Sequence, residues 1–282
     1  MLDASSQAEV LNQALPYIQQ FRNQTFVIKY GGNAMGDPDL LHGVIRNVLL
    51  LQLVGIRTVL VHGGGPEIDR WLERLGIAKR VENGLRVTDE DTMAVVEMAL
   101  ERTNKGLVAE VQRAGGRAVG LSGRDGRMLT AEPISEALGR VGQVVDVDTS
   151  SLEMALDGGF VPIVCSVAND DQGASLNVNA DSAAAALAGA LHASKLILLT
   201  ETDGVLERRE DPGSLISRLS PEAARAMIAD GRADKGMVPK LEAAMHALEE
   251  GVQRVHILNG SRPNSLLIEV FTDSGIGTML AR

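Results

Sequence analysis

Phe26-Val27-Ile28-Lys29-Tyr30-Gly31-Gly32 and Val59-Leu60-Val61-His62-Gly63-Gly64-Gly65-Pro66-Glu67 are the two stretches whose reading decides the fold. Each is an apolar run of strand length that passes directly into glycines. A run apolar on both faces suits a strand buried within a parallel sheet. Where such a strand ends in glycine, backbone N–H groups are left at the sheet edge, and these are good seats for phosphate oxygens. Two such seats in one chain, one beside a lysine, point to two phosphate-like groups meeting between them, as phosphoryl transfer requires. The spacing is not that of a P-loop, since G-x-x-x-x-G-K-[ST] is absent. It is not a dinucleotide fingerprint either, since G-x-G-x-x-G follows neither strand.

Outward from these stretches, strands and helices alternate. The pattern predicts a strand over Thr25–Tyr30, a helix over Asp39–Val54, a strand over Thr58–His62 and a helix over Pro66–Leu75. A long helix is predicted from Asp89 to Ala114, with Thr88 and Asp91 in capping-box relation. Strand Ala118–Leu121, a hairpin-like region around Arg127–Val147 and strand Val161–Ser166 follow. A polar loop, Asn169–Ser175, leads to Asn177-Val178-Asn179-Ala180-Asp181, read as opening an Ala-rich helix. Strand Lys195–Thr200, helices Pro221–Asp230 and Val238–Glu250, and strand Arg254–Leu258 complete the series. Such alternation implies an α/β fold with a mostly parallel sheet covered on both faces. Before the first strand, Ser5–Phe21 reads as an amphipathic helix that Pro16 should kink. It either docks on its own domain or reaches another subunit.

The bulk composition bounds the function. The chain has 282 residues, 45% apolar and only 2% aromatic, so a large core must be aliphatic. The formal net charge is −10, from 27 basic and 37 acidic residues, which argues against nucleic acid as a partner. A negatively charged substrate must therefore be met by locally placed cations. The single cysteine, Cys165, lies in an apolar run and reads as a small core residue. With Asp3 and Glu9 near the start and no apolar leader pattern, the expected location is a reducing cytoplasm. No apolar run approaches membrane-spanning length.

Four further stretches carry candidate chemistry. Lys29, at the end of a buried strand, is costly unless its ammonium reaches an anion or snorkels to the surface. Asn83-Gly84-Leu85-Arg86-Val87-Thr88 places an arginine in a turn before a helix, where it could clamp a carboxylate or form a surface ion pair. Asn177, Asn179 and Asp181 put two amides and a carboxylate within five residues. Asn179 and Asp181 suit helix caps, but the set exceeds what capping needs. Gly236-Met237-Val238-Pro239-Lys240 follows Asp234-Lys235, with Pro239 in a first helical turn. A cation in that turn opposes the helix dipole, which suggests a phosphate contact over a plain surface lysine.

Taken together and in this order, Lys29-Tyr-Gly-Gly, His62-Gly-Gly-Gly-Pro-Glu67, Asn83-Gly-Leu-Arg-Val-Thr88, Asn177-Val-Asn-Ala-Asp181 and Gly236-Met-Val-Pro-Lys240 resemble the amino acid kinase family. The resemblance is narrowest to members that phosphorylate the γ-carboxylate of N-acetyl-L-glutamate with ATP in arginine synthesis. It implies a three-layer αβα sandwich in two lobes. Residues 21–192 would bind acetylglutamate and form a dimer, and residues 193–282 would bind ATP. By the same resemblance, Lys29 and Lys240 would stabilise charge on the transferred phosphoryl group, and Asp181 would orient both. Gly31 and Gly32 would face the γ-phosphate and Gly64 and Gly65 the attacking carboxylate. Arg86, Asn177 and Asn179 would hold the substrate. Asp203, Gly204, Gly236 and Met237 would border the nucleotide, and Mg²⁺ would bridge ATP phosphates with few protein ligands. A carboxylate is already a nucleophile at neutral pH, so positioning, cations and N–H donors suffice and no general base is needed.

The resemblance extends to members inhibited by L-arginine, in which an N-terminal helix, here residues 1–20, interlocks dimers into a hexamer. Tyr17, Lys195, Ser265, Glu269 and Gly275 would then line an arginine pocket. Glu269 facing a guanidinium is chemically sensible, the alternative being a solvated strand residue. Relatives in oxygenic phototrophs bind a PII-type signalling protein, a partner on which these residues are silent. Two departures from the family pattern stand out: Glu201 in place of an aspartate after the Leu-Leu-Thr strand, and Asn264 in place of a histidine. Two readings compete: a family member acting on unacetylated glutamate, aspartate or carbamate, and a non-catalytic sensor of arginine and nucleotide.

Overall fold

A computed structural model describes residues 3–82, 84–234 and 236–282. Asn83 and Lys235, both within the sequence motifs, lie outside the described residues. In chain order the elements are α1 (Ala4–Phe21), β1 (Thr25–Tyr30), α2 (Pro38–Leu53), β2 (Arg57–His62), α3 (Gly65–Leu75), β3 (Val81–Glu82), β4 (Leu85–Arg86) and α4 (Glu90–Arg113). Next come β5 (Ala118–Ser122), β6 (Leu129–Pro133), β7 (Val141–Val147), α5 (Ser150–Asp157), β8 (Val161–Cys165), β9 (Val167–Asn169), β10 (Ser175–Val178) and α6 (Ala180–Ala190). The remainder is β11 (Lys195–Thr200), β12 (Arg218–Leu219), α7 (Pro221–Ala229), α8 (Val238–Glu249), β13 (Arg254–Asn259), α9 (Ser265–Phe271) and β14 (Thr278–Leu280).

Eight strands form one sheet in the order β12-β14-β13-β11-β1-β2-β8-β5. Every pairing in it is parallel except β13 with β14. The sheet carries helices on both faces, as the alternating pattern predicts. Side chains of a strand alternate between faces, and β1 shows it. Val27 packs among Ala184, Leu187 and Leu241 on the α6–α8 side. Phe26, Ile28 and Tyr30 join Ile45, Val48 and Leu266 on the other. Lys29 shares the face of Val27, so its ammonium is carried toward α6 and α8.

Several local expectations are corrected. The α4 cap is Asp89, whose carboxylate accepts from the Thr92 N–H at 2.9 Å, and Thr88 does not cap. The Thr88 hydroxyl instead donates to Arg86 O at 2.8 Å. Asn177 lies on β10, and the helix expected to open there starts at Ala180. The polar loop is shorter than expected because β9 and β10 pair antiparallel across it and join β6 and β7 in a small closed barrel. Arg86 lies in a two-stranded hairpin, β3 with β4, and not in a simple turn.

Candidate active site

Three charged side chains meet at the C-terminal edge of the central strands. Lys29 Nζ lies 3.0 Å from Asp181 Oδ1, and Lys240 Nζ lies 2.8 Å from Asp181 Oδ2. Asp181 comes from the first turn of α6, where Asn179 is the true cap, accepting from the N–H groups of Asp181 at 2.8 Å and Ser182 at 3.2 Å. Lys240 comes from the first turn of α8. Lys29 and Asp181 are 8% and 5% exposed. Burial pushes the Lys29 ammonium below its ordinary range, with Lys240 adding like-charge repulsion, while Asp181 and Glu201 oppose the shift. Burial alone would raise Asp181, but Lys29 and Lys240 hold it below the ordinary carboxylate range. Oδ1 receives the Lys29 contact as an ion pair without an aligned hydrogen bond.

Two cations on one carboxylate leave a net positive charge in a nearly dry place. Such a cluster is poor as a stabilising device, because desolvation rivals the Coulomb gain. Glu201 adds a further negative charge that acts on Lys29, and an arriving anion would add more. The lowered Lys29 sets a pH expectation. Its charge is lost as pH rises through its own value, so the alkaline limb of kcat/KM for the free enzyme falls below the ordinary lysine value of 10.5. A pH–rate profile that stays flat up to that value overturns the assignment.

The glycine turns border this cluster. A Cβ at Gly31 would sit 3.0 Å from Lys29 Nζ, so the backbone lies directly against the ammonium. Gly32 has φ of 80°, in the left-handed region, and a Cβ there would meet Glu201 Oε1 at 2.9 Å. The Glu201 departure is thus placed beside the first turn. In the second turn, Gly63 donates its N–H to Tyr30 O at 3.3 Å and continues the sheet. Gly64 approaches Leu100 so closely that a Cβ would stand 2.7 Å from its Cδ2. Gly65 opens α3, which has no side-chain cap, so its first-turn N–H groups face outward as an anion seat.

Lys29, Gly31, Gly32, Gly64, Gly65, Arg86, Asn177, Asn179 and Asp181 line one cleft of about 260 Å³. Arg86 donates to Asp69 Oδ1 at 2.5 Å, and its Nη1 is buried with no partner. A buried guanidinium nitrogen without an acceptor fits a ligand carboxylate. Asn177 donates to Thr88 Oγ1 at 3.2 Å, which fixes its amide at the cleft wall. Asp69, missed in the sequence, is held by Lys79 at 2.7 Å and orients Arg86. Its only sequence signal is a position four residues after Gly65 on α3.

Asp203, Gly204, Gly236 and Met237 are not among the residues lining this cleft. Asp203 accepts from Asn259 Nδ2 at 2.8 Å. Gly204 packs against Thr278. The N–H groups of Gly236 and Met237 both donate to Asp234 Oδ1, at 2.9 and 2.7 Å.

A second cluster lies at the opposite, N-terminal end of β11. Lys195 Nζ is 3.0 Å from His256 Nε2, and His256 Nδ1 is 2.7 Å from Glu269 Oε1. Burial drives Lys195 down to about 8, helped by Arg254. Burial also lowers His256, which leaves the ring neutral between an ammonium and a carboxylate. Glu269 lies on α9 with its side chain 8% exposed, and it accepts from Ile276 N–H at 2.9 Å, with Gly275 beside it. It is therefore no solvated strand residue. Ser265 is buried at the start of α9. Asn264 has φ of 59°, a left-handed position that asparagine tolerates. Tyr17 from α1 donates to Asp273 Oδ1 at 2.6 Å. The structure thus gathers Lys195, Glu269 and Gly275 around a histidine that sequence reading passed over.

The model of the Amino acid kinase family matches residues 24–259. The chain belongs to that family. Similar proteins include acetylglutamate kinase of Acaryochloris marina (strain MBIC 11017), 51% identical over 99% of each chain. Acetylglutamate kinase of Thermoanaerobacter pseudethanolicus is 48% identical over 99% of this chain and 95% of its own. Among solved structures, N-acetylglutamate synthase from Neisseria gonorrhoeae with coenzyme A and N-acetyl-glutamate superposes with a TM-score of 0.86 at 31% identity. That match covers 98% of this chain but 63% of the longer synthase. The same synthase with coenzyme A and L-arginine gives a TM-score of 0.82 at 30% identity. Carbamate kinase from Giardia lamblia bound to AMP-PNP, at 17% identity and a TM-score of 0.71, shares the fold.

Proposed function

We propose that the chain transfers the γ-phosphoryl group of ATP to the γ-carboxylate of N-acetyl-L-glutamate, giving the acyl phosphate and ADP. The observation that carries this reading is the buried, net-positive Lys29–Asp181–Lys240 cluster flanked by two glycine turns. Two anions must approach each other, and the barrier is their repulsion. The lysines neutralise the transferred group and the leaving phosphate. The N–H groups of Gly31 and Gly32 receive phosphate oxygens, and those of Gly64 and Gly65 the attacking carboxylate. Arg86 Nη1 and Asn177 hold the α-carboxylate. Asp203, Gly204, Gly236 and Met237 border the nucleotide. Asp181 is taken by both lysines, and no group of three His, Cys, Asp or Glu is placed for a metal among the described residues. Mg²⁺ brought in with ATP would supply charge neutralisation of the phosphates, leaving the lysines and glycine N–H groups to position them.

Residues 21–192 form the acetylglutamate lobe and residues 193–282 the ATP lobe. Incubation with ATP, acetylglutamate and hydroxylamine should yield the hydroxamate with matching ADP. Faster turnover of glutamate, aspartate or carbamate overturns the substrate, and no turnover with any of them overturns the enzyme reading.

The Lys195–His256–Glu269 cluster is a seat for L-arginine, with the effector guanidinium on Glu269, and Tyr17 and Ser265 nearby. The support is a carboxylate held by His256 from β13 and by the Ile276 N–H, with Lys195 of β11 beyond the histidine. Glu269→Gln should raise the arginine concentration for half-inhibition at least about tenfold, the loss of one charge-assisted contact. Inhibition unchanged by E269Q overturns this site. On α1, Val10, Leu11 and Leu15 are 53%, 73% and 51% exposed, an apolar stripe that suits a second copy. Removal of residues 1–20 should reduce a hexamer to dimers in sedimentation.

A further inference from the structure

His62 ends β2 with no exposed surface, on the same face as Leu60, toward α4. Its Nδ1 lies 2.8 Å from Gly63 O. A carbonyl only accepts, so Nδ1 carries the proton. Nε2 is then an acceptor, and Asn104 Nδ2 from α4 stands 3.2 Å away. The same amide nitrogen reaches Ile163 O at 2.8 Å and Leu121 O at 3.2 Å, so its two protons are shared among three acceptors, and the two carbonyls fix which end of Asn104 donates. Its Oδ1 has no partner, so the amide is committed to donation. Burial drives the ring down to about 4, so one neutral tautomer holds at neutral pH.

The residue after His62 opens a glycine turn, and glycines do not fix their own peptide planes. Two of the three neighbouring peptide groups are tied elsewhere: Gly63 N–H to Tyr30 O at 3.3 Å, and Gly64 O to Ile68 N–H at 2.9 Å. Among the described residues, the Gly63–Gly64 peptide between them is tied only through its carbonyl, to His62. It is trans, so its N–H points opposite to that carbonyl. We infer that His62, locked by Asn104, is a positioning residue that grips Gly63 O from the α4 side and thereby aims the Gly64 N–H into the cleft. This rests on the proposed phosphoryl transfer, in which that N–H meets the attacking carboxylate. It also explains why a polar ring fills a core position that an aliphatic side chain would fill without needing partners.

The test compares His62→Asn with His62→Gln. Asparagine places its amide nitrogen where Nδ1 stands and keeps the donor to Gly63 O. Glutamine places it where Nε2 stands and loses that donor while remaining larger and polar. With ATP and acetylglutamate saturating, H62N should hold kcat within about threefold of the parent, and H62Q should lose at least about tenfold, part of the 10²–10³ that loss of a whole donor costs. KM for ATP should be alike in both, and melting temperatures should not follow the kcat order. Equal kcat in the two variants, or H62N below H62Q, overturns the inference. If H62Q gives no folded protein, H62N decides alone: retention supports positioning, and a loss above about thirtyfold overturns it. If neither folds, the ring is core packing and the inference falls. A parent protein without acetylglutamate-dependent ADP release fails the proposed function instead, before any variant is compared.

Discussion

Lys29→Met is expected to lower kcat by at least about 10³-fold, some 4 kcal/mol of transition-state stabilisation, with little change in KM for either substrate. Methionine keeps the volume of the buried stem and removes only the charge. Asp181 retains Lys240 at 2.8 Å, so no carboxylate is left bare and the fold should persist. The burden falls on the moment when charge passes between nucleophile and leaving group, because the ammonium abuts Gly31, where a phosphate would rest. An interaction made chiefly in the transition state appears in kcat. Single-turnover measurements with a melting curve decide it. A K29M protein that melts normally and turns over within tenfold of the parent removes Lys29 from the mechanism.

Arg86 should behave in the opposite way. Arg86→Leu is expected to raise KM for acetylglutamate about 10²-fold while kcat at saturation falls much less, since the α-carboxylate is bound alike in ground and transition states. The buried, unpartnered Nη1 is the basis. Asp69 keeps Lys79, so the variant strands no buried charge. Arg86→Lys should recover only part of the loss, because a point charge cannot reproduce a fork already shared with Asp69. Titration of initial rates against acetylglutamate at fixed ATP measures both. A KM unchanged in R86L leaves Arg86 as an Asp69 partner and nothing more.

The three charges that meet at the candidate site were legible as separate candidates in the sequence, because each sits at an element boundary that glycine, proline or a cap marks. Lys29 precedes two glycines, Asp181 follows a capping asparagine, and Lys240 follows Pro239. What sequence could not supply was the meeting of distant side chains. Asp69 is an ordinary helical carboxylate until the β3–β4 hairpin brings Arg86 against it. His256 reads as a polar interruption in an apolar strand until α9 delivers Glu269 to one nitrogen and β11 delivers Lys195 to the other. Asp89 rather than Thr88 caps α4 because Thr88 is drawn into the cleft wall by Asn177 and Arg86. The β6–β7 hairpin was legible around Arg127–Val147, but its closure into a barrel with β9 and β10 escaped because the closing pairs, β7 with β10 and β6 with β9, join strands distant in sequence.

The place of β1 in the sheet has a mechanical consequence. It is hydrogen-bonded on one side to β2 and on the other to β11, so the backbone ladder runs unbroken from the proposed acetylglutamate lobe into the proposed ATP lobe. The halves cannot swing apart like jaws without rupturing that ladder. Bringing two substrates together falls instead to twisting of the shared sheet and to the loops at its rim, and Lys29 stands on the strand that joins the two halves.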